Sequence, residues 1–367
     1  MKLIFFLVAF CLLSIRVYFS WSGRDREKRG ESVSDLVIKS DNFYEEIKYA
    51  GKFQLTDDET AFKSISPGGY FKFRKNDETV RAESNLQGTI AYTIYDGKNK
   101  LGMDDEGKKR VAGAIHEMIV WGFDATTHLE RIYRNGGSLA LINEIDSMKS
   151  DPVKMLYLDR LYAMDSLSTE EWTAVANKIG SLGFDGDKAR YLKKFPPALL
   201  ESPSIASVWF AVLGKLGSDM DKVNSLLYVL EQDTVARDHA DKILIMTAGL
   251  GSEMDKANLF RTMIDKGLAN GNFFDSLLEQ ASHLGSDMDK INLYRELLKG
   301  KNLTENQWIS LINKSVQPAS DMDKGNLLIE IALKMPKTEP VKSAYLKAAR
   351  SIHNDSDYGR AVRAVVD

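Results

Sequence analysis

The sequence predicts an α+β chain: a small antiparallel β-rich N-terminal domain followed by an α-solenoid of 34-residue helix-turn-helix repeats. Three observations predict it. Apolar and polar residues alternate between Phe43 and Tyr95, the period of half-buried strands. From Asp104 onward the apolar period becomes that of a helix. Finally, Lys154, Lys188, Lys222, Lys256, Lys290 and Lys324 recur every 34 residues inside near-identical blocks, the signature of a repeat array.

The chain has 367 residues, room for two or three domains. Hydrophobic residues make up 44% and charged residues 28%, which places it with folded rather than disordered proteins. The net charge of −3 leaves no general attraction for phosphate backbones, so nucleic acid is not an expected partner. Cys11 is the one cysteine and lies in the N-terminal apolar run, so disulfides, thiol catalysis and cysteine-ligated zinc are excluded for the rest of the chain.

Residues 1–22 read as a signal peptide or membrane anchor. Lys2 precedes an apolar core from Leu3 to Leu13, and Ser20-Trp21-Ser22 offers small residues for cleavage before Gly23. Val17-Tyr18-Phe19 extend the apolar character past Arg16, so membrane attachment through residues 3–21 stays open beside cleavage. Both readings export the protein, to the periplasm or the envelope. Residues 23–42 are polar, lack a period and are expected to be a linker.

The β-rich domain is expected over 43–100. Ile47 and Tyr49, Phe53 and Leu55, Phe71 and Phe73, and Ile90, Tyr92 and Ile94 form period-two sets. Asp57-Asp58-Glu59, Ser66-Pro67-Gly68-Gly69, Asn76-Asp77 and Asp96-Gly97 supply the turns. Connecting helices follow over 104–149. The first, about 105–121, opens on Asp104-Asp105-Glu106, carboxylates where the helix dipole favours them, and carries Val111, Ala114, Ile115, Met118 and Ile119 on one stripe. A second helix runs to Asn135-Gly136-Gly137, a stop signal, and a third covers about 138–148.

The repeats occupy 150–367. Gly-Ser-Asp-Met-Asp-Lys at 217–222 returns with small changes at 251–256, 285–290 and 319–324, and Arg360 is taken to extend the lysine position after a step of 36. The Gly is expected to close a helix in a left-handed conformation and the Ser to cap the next. Leu226, Phe260, Tyr294 and Leu328 share one apolar position, and Val229, Met263, Leu297 and Ile331 another. In the second helices Trp172, Ala206, Ala240, Phe274 and Trp308 are equivalent, as are Val175, Trp209, Ile243, Leu277 and Leu311. Leu182, Leu216, Leu250 and Leu284 precede the turn. Stacked units of this kind bury a continuous core that no unit could bury alone.

Each motif with chemical promise has a plainer explanation. Asp219 and Asp221 suit a helix start without any cation, whereas a calcium loop needs more oxygen ligands. His116-Glu117-Met118-Ile119-Val120 begins like a zinc-peptidase helix but has Val120 where the second histidine belongs. His116, His128, His239, His283 and His353 do not cluster in sequence, and no nucleophile elbow is present. Phe71-Lys72-Phe73-Arg74 has the composition of an RNA platform and, with this net charge, reads as a half-buried strand. Ser66-Pro67-Gly68-Gly69-Tyr70 reads as a tight turn rather than a phosphate cradle. Asn224, Asn258, Asn292 and Asn326 recur in the first helices. A ladder of amides bonded to neighbouring turns is favoured for them over a row of amides on a binding surface.

Thirty-four residues is also the tetratricopeptide length, but that family's Trp, Gly-Tyr and Ala pattern is absent. Ile65-Ser66-Pro67-Gly68-Gly69-Tyr70, the helix stop Gly136-Gly137 and the Ser-Asp-x-x-Lys start at Ser150–Lys154 resemble a group of bacterial exported proteins. Similar segments are appended to BlaR-type membrane peptidases that relay extracellular signals. The resemblance covers about residues 44–366 and implies an envelope-facing sensing or scaffolding module with HEAT-like repeats. The peptidase's zinc helix has no counterpart in this chain.

The function expected from these features is a non-catalytic protein- or peptide-binding scaffold of the cell envelope. The alternatives are a hydrolase with its site between the β domain and the first helices, or a structural spacer. No catalytic residue, cofactor or metal ligand is expected, and the binding residues are unassigned.

Overall fold

The structure, a computed structural model, describes residues 16–20, 33–40, 43–164, 166–299 and 303–366. The chain divides into two compact units, Met1–Ala163 and Met164–Asp367. The fold is α+β: antiparallel sheet first, helices thereafter.

In the first unit a seven-stranded sheet runs in the order β1 (Arg16–Ser20), β2 (Val33–Ser40), β3 (Phe43–Ala50), β6 (Tyr70–Lys75), β7 (Glu78–Ser84), β8 (Ile90–Asp96), β9 (Asn99–Leu101). All neighbours are antiparallel. The hairpin of β4 (Phe53–Leu55) and β5 (Phe62–Ile65) is inserted between β3 and β6 as a separate ladder. The expected meander is therefore present, with a hairpin set into it. Gly68, at φ +75°, holds the turn into β6, and the Gly69 N–H donates to Ser66 O at 2.8 Å. A β-carbon at Gly69 would lie 2.7 Å from Ala50 O, so the chain needs glycine there.

The expected linker over 23–42 requires correction. Residues 33–40 are strand, paired with β3 from Val33↔Ala50 to Ser40↔Phe43, and Leu36 and Ile38 are buried in the core. Leu36-Val37-Ile38 is contiguously apolar within a polar segment, which hid its alternation. Arg16–Ser20 pair with β2, from Arg16↔Lys39 to Ser20↔Asp35. The apolar run Leu3–Leu13, with the rest of 1–15, and residues 21–32, 41 and 42 lie outside the described residues.

Helix α1 (Asp105–Val120) packs Val111, Ala114, Ile115, Met118 and Ile119 onto Leu36, Ile47, Phe71, Phe73, Val80 and Ile94 of the sheet. Asp104 caps it, accepting the Gly107 N–H at 3.1 Å. Helix α2 (Ala125–Glu144) is interrupted at Gly137, φ +65° and ψ −158°, so the glycine pair does act as the expected stop. Helix α3 (Asp151–Tyr162) ends this unit and buries Val153, Tyr157, Leu158 and Leu161.

The second unit is a stack of paired helices. One layer holds α5 (Asp185–Lys194), α7 (Asp219–Leu230), α10 (Glu253–Asp265), α12 (Asp287–Leu297), α14 (Asp321–Ala332) and α16 (Asp355–Val366), each packed on the next. The other holds α4 (Thr169–Gly180), α6 (Pro203–Gly214), α9 (Ala240–Ala248), α11 (Gly271–Ser282), α13 (Glu305–Lys314) and α15 (Glu339–Ala349). A short helix, α8 (Asp233–Asp238), leads into α9, where buried His239 reaches Leu200 O through Nε2 at 2.7 Å. Of the expected apolar positions, Leu226, Phe260, Tyr294 and Leu328 are at most 1% exposed, and Val175, Trp209, Ile243, Leu277 and Leu311 are fully buried, while Ala240, at the start of α9, is half-buried.

The last repeat keeps the 34-residue step. Asn354 stands where Ser320 stood and accepts the Asp357 N–H through Oδ1 at 3.1 Å, as Ser320 Oγ accepts that of Asp323 at 3.2 Å. Ala361 and Val365, which follow Leu327 and Ile331 by 34, are buried like them. Arg360 therefore follows Asn326, not Lys324, and the step of 36 is corrected to 34 by the capping geometry.

Candidate functional site

The turn between repeats is built on one carboxylate. The acid that begins each of α5, α7, α10, α12 and α14 reaches the backbone of the next repeat's turn. Asp185 accepts the Gly217 N–H at 2.6 Å, Asp219 that of Gly251 at 2.7 Å, Glu253 that of Gly285, Asp287 that of Ala319 and Asp321 that of His353, the last three at 2.8 Å. The other carboxylate oxygen faces the lysine three residues on: Lys188 at 3.1 Å, Lys256 at 2.8 Å, and Lys290 and Lys324 at 3.2 Å. Lys222 stands 3.8 Å from Asp219. A charge-assisted acceptor holding a backbone donor of the neighbouring unit explains why acid and lysine recur together. The serines behave as expected, with Ser218, Ser252, Ser286 and Ser320 each accepting the N–H of the Asp three residues later.

Two expectations about this turn are corrected. Gly217, Gly251 and Gly285 are not left-handed; none has a positive φ. At Gly217 and Gly251 glycine instead gives room to the preceding repeat's carboxylate, since an added β-carbon would stand 3.3 Å from Asp185 Oδ2 and 3.1 Å from Asp219 Oδ2 respectively. Ala319 occupies the equivalent place, which a left-handed position would disfavour. The ladder between turns is likewise made by the carboxylates and not by the asparagines. Asn224 and Asn258 are exposed, Asn292 and Asn326 half-exposed. Asn258 accepts from Arg261 on its own helix, and Asn326 from Arg360 of the next.

A second pattern lies on the outer surface of this layer. Met220, Met254, Met288 and Met322, the second residue of α7, α10, α12 and α14, are 57–73% exposed. Beside each is an aspartate, Asp221, Asp255, Asp289 or Asp323, whose carboxylate makes no hydrogen bond or ion pair among the described residues, and one turn on is the asparagine. In both flanking repeats the aspartate stays, as Asp187 and Asp357, while the methionine and the asparagine change together. Gly186 and Ser356 take the methionine place, and Arg190 and Arg360 take the asparagine place. There the acid is neutralised, Asp187 by Arg190 at 3.5 Å and Asp357 by Arg360 at 3.2 Å. The buried positions, by contrast, continue into the last repeat through Ala361 and Val365. Packing demands an apolar residue at the buried positions of each repeat, whereas the exposed methionine and asparagine beside an unpaired acid are confined to the four central ones. The sequence displayed the four methionines inside the repeated block, but their exposure is set by helix phase and only the structure reveals it.

The first unit holds a buried polar cluster where the β4–β5 turn meets α2 and α3. His128 Nδ1 lies 2.7 Å from Glu59 Oε2, its Nε2 lies 3.4 Å from Glu144 Oε1, and Arg131 also grips Glu59. Burial disfavours the imidazolium, but the hydrogen bonds and charges of Glu144 and Glu59 outweigh it and raise the His128 pKa to about 9. Glu59 holds a left-handed backbone at φ +57°. The Tyr157 hydroxyl nearby is buried without a partner, its pKa raised by burial and by the charges of Glu144 and Glu59. This cluster joins secondary-structure elements. It contains no Ser or Cys nucleophile, and His128 and Tyr157 are buried.

The remaining motifs resolve plainly. His116 is exposed, and Glu117 pairs with Lys75 at 2.6 Å and with Lys149. Phe71 and Phe73 are buried in the core while Lys72 binds Glu46 at 2.7 Å, so aromatic and basic side chains point to opposite faces. An open hollow of about 480 Å³ on that outer face is lined by Lys72, Arg74, Asp77, Thr79, Gly97 and Lys98. Among the described residues no group of three or more His, Cys, Asp or Glu side chains could hold a metal ion, and no helix is long and apolar enough to cross a membrane. Comparison with protein families, curated proteins and solved structures gives no match for this chain.

Proposed function

We propose that this protein is a non-catalytic binding scaffold of the cell envelope whose helical repeats present a protein- or peptide-docking surface. The observation that carries the reading is the exposed methionine row. Four large apolar side chains stand in solvent at one register of the stack, and thioethers suit adaptable binding surfaces. Stacked repeats commonly use extended surfaces of this kind. Export rests on the Lys2 start and the apolar core that follows, and the resemblance to sensing modules of membrane peptidases agrees with an envelope location. The test is a photo-crosslinking residue placed at Met254 or, on the other layer, at Ile245, in cells expressing the full chain. A discrete adduct from Met254 in the envelope fraction is expected. No adduct from either position, with the unprocessed chain in the cytosol, would contradict the proposal.

A further inference from the structure

The methionine row does not stand alone, and its companions specify what could lie on it. Each of the four central repeats offers three chemistries within one helical turn: an apolar thioether, an unpaired carboxylate and an amide. The staple carboxylates are balanced by their lysines, so each triplet keeps one net negative charge, and the row carries four. Arg261, two turns along α10 from Met254, has no acidic partner among the described residues and bonds Asn258. The amide NH2 groups remain as donors for carbonyl oxygens.

We infer that this row binds an extended basic peptide segment of another protein, with a cationic and an apolar side chain at every third residue. The reasoning rests on the binding function proposed above. Charge complementarity sets the sign of the partner, since four free carboxylates favour lysine or arginine and repel acidic chains. The methionines favour apolar side chains between those charges. Spacing sets the period. Helices α7, α10, α12 and α14 pack in succession, and packed helices lie about 8–10 Å apart. A polyproline-II chain advances about 9 Å in its three-residue turn and so returns the same face to each successive repeat. A β-strand does not, because its third residue points to the opposite side. An α-helix would need about six residues for the same advance, and its facing side chains recur at three and four. The flanking repeats bound the site. With Gly186 and Ser356 in the methionine place and an arginine on the acid, they offer neither the apolar contact nor the charge.

The test uses the full chain and three labelled peptides of equal length: repeated Lys-Leu-Pro, the same composition in aperiodic order, and repeated Glu-Leu-Pro. Fluorescence anisotropy is expected to show binding of the periodic basic peptide, weaker binding of the aperiodic one and none of the acidic one, with affinity falling as salt rises. Replacing Asp221, Asp255, Asp289 and Asp323 together by Asn should weaken binding about tenfold or more. Serine at the four methionines should do likewise. Asp187→Asn with Asp357→Asn, whose acids are already paired, should leave it unchanged. Circular dichroism of each variant separates loss of binding from loss of fold. Equal binding of the basic and acidic peptides, or wild-type affinity in both fourfold variants, overturns the inference. If the basic peptide fails while Met254 still crosslinks a protein, the partner chemistry is wrong and the broader binding function stands.

Discussion

Asp219 Oδ2 accepts the backbone N–H of Gly251, 32 residues later, at 2.7 Å. The bond ties the first turn of one repeat to the entry of the next. Repeated at Asp185, Glu253, Asp287 and Asp321, it gives the stack a polar edge beside its apolar core. Removing one such bond without touching the core tests its contribution. Asp287→Ala is expected to lose about 1 kcal/mol, the scale of a charged hydrogen bond discounted for exposure to solvent. Asp287→Asn, which keeps an acceptor oxygen, should lose less. Chemical denaturation of the two variants measures the difference, and equal stability of both with the native chain would remove the bond's role.

The same carboxylates should make the stack acid-sensitive. The Ala319 N–H first, then Lys290, holds Asp287 below its ordinary value, and Lys256 and the Gly285 N–H do the same for Glu253. A folded-state value below the unfolded one stabilises fully above the ordinary values of 3.8 and 4.5, and that stabilisation is lost as pH falls through the folded values. Denaturation midpoints should drop below about pH 4. The drop should be shallower in Asp287→Asn, and an identical acid profile would contradict the assignment.

The polar cluster of the first unit titrates at the other end. His128 faces Glu59 and Arg131 on one side, Glu144 and the Tyr157 hydroxyl on the other. Its pKa is raised to about 9, so the stabilisation is complete below the ordinary 6.5 and is lost as pH rises toward 9. The contribution is at most about 3 kcal/mol. An imidazole NMR titration should give a midpoint near 9, and His128→Gln should flatten stability between pH 6.5 and 9. A midpoint near 6.5 would show that the carboxylates do not hold the proton.

The turn glycines separate two explanations of one residue type. Gly285 has space around it, with Glu253 Oε2 3.9 Å from an added β-carbon, whereas at Gly251 the Asp219 oxygen would be 3.1 Å away. Neither has a positive φ. Gly285→Ala is therefore expected to stabilise by about 0.5 kcal/mol through the unfolded chain. Gly251→Ala should gain nothing, or lose, because Asp219 must give way. Destabilisation of both by more than about 1 kcal/mol would restore a left-handed turn.

Much of this architecture was legible in the sequence because repetition averages out local ambiguity. Leu226, Phe260, Tyr294 and Leu328 differ in size yet share a place, and only a stacked core demands that. Ser286 was readable as a cap for the same reason. The direction of long polar side chains was not readable. Whether Asp219 faces its own helix dipole or the next repeat depends on a contact 32 residues away, and the same uncertainty misassigned the asparagines. The cluster around His128 was beyond reach because Glu59, His128 and Glu144 are joined only by the tertiary path from the β4–β5 turn to α2. The β2 strand was missed because its buried pair, Leu36 and Ile38, is too short to show a period.

The central structural claim is that the second unit is a stack in which each repeat leans only on its neighbours. The most direct measurement is helical content and thermal melting by circular dichroism in a truncation series of the full chain. A cut after Gly285 falls between repeats, and a cut after Leu298 leaves α12 without α13. The boundary cut is expected to keep the remaining helices and lower the melting temperature modestly, and the cut after Leu298 to lose more helix than its deleted residues account for. If every truncation, at a boundary or within a repeat, unfolds the whole chain in one step, the core is globular and the stacked-repeat account is contradicted.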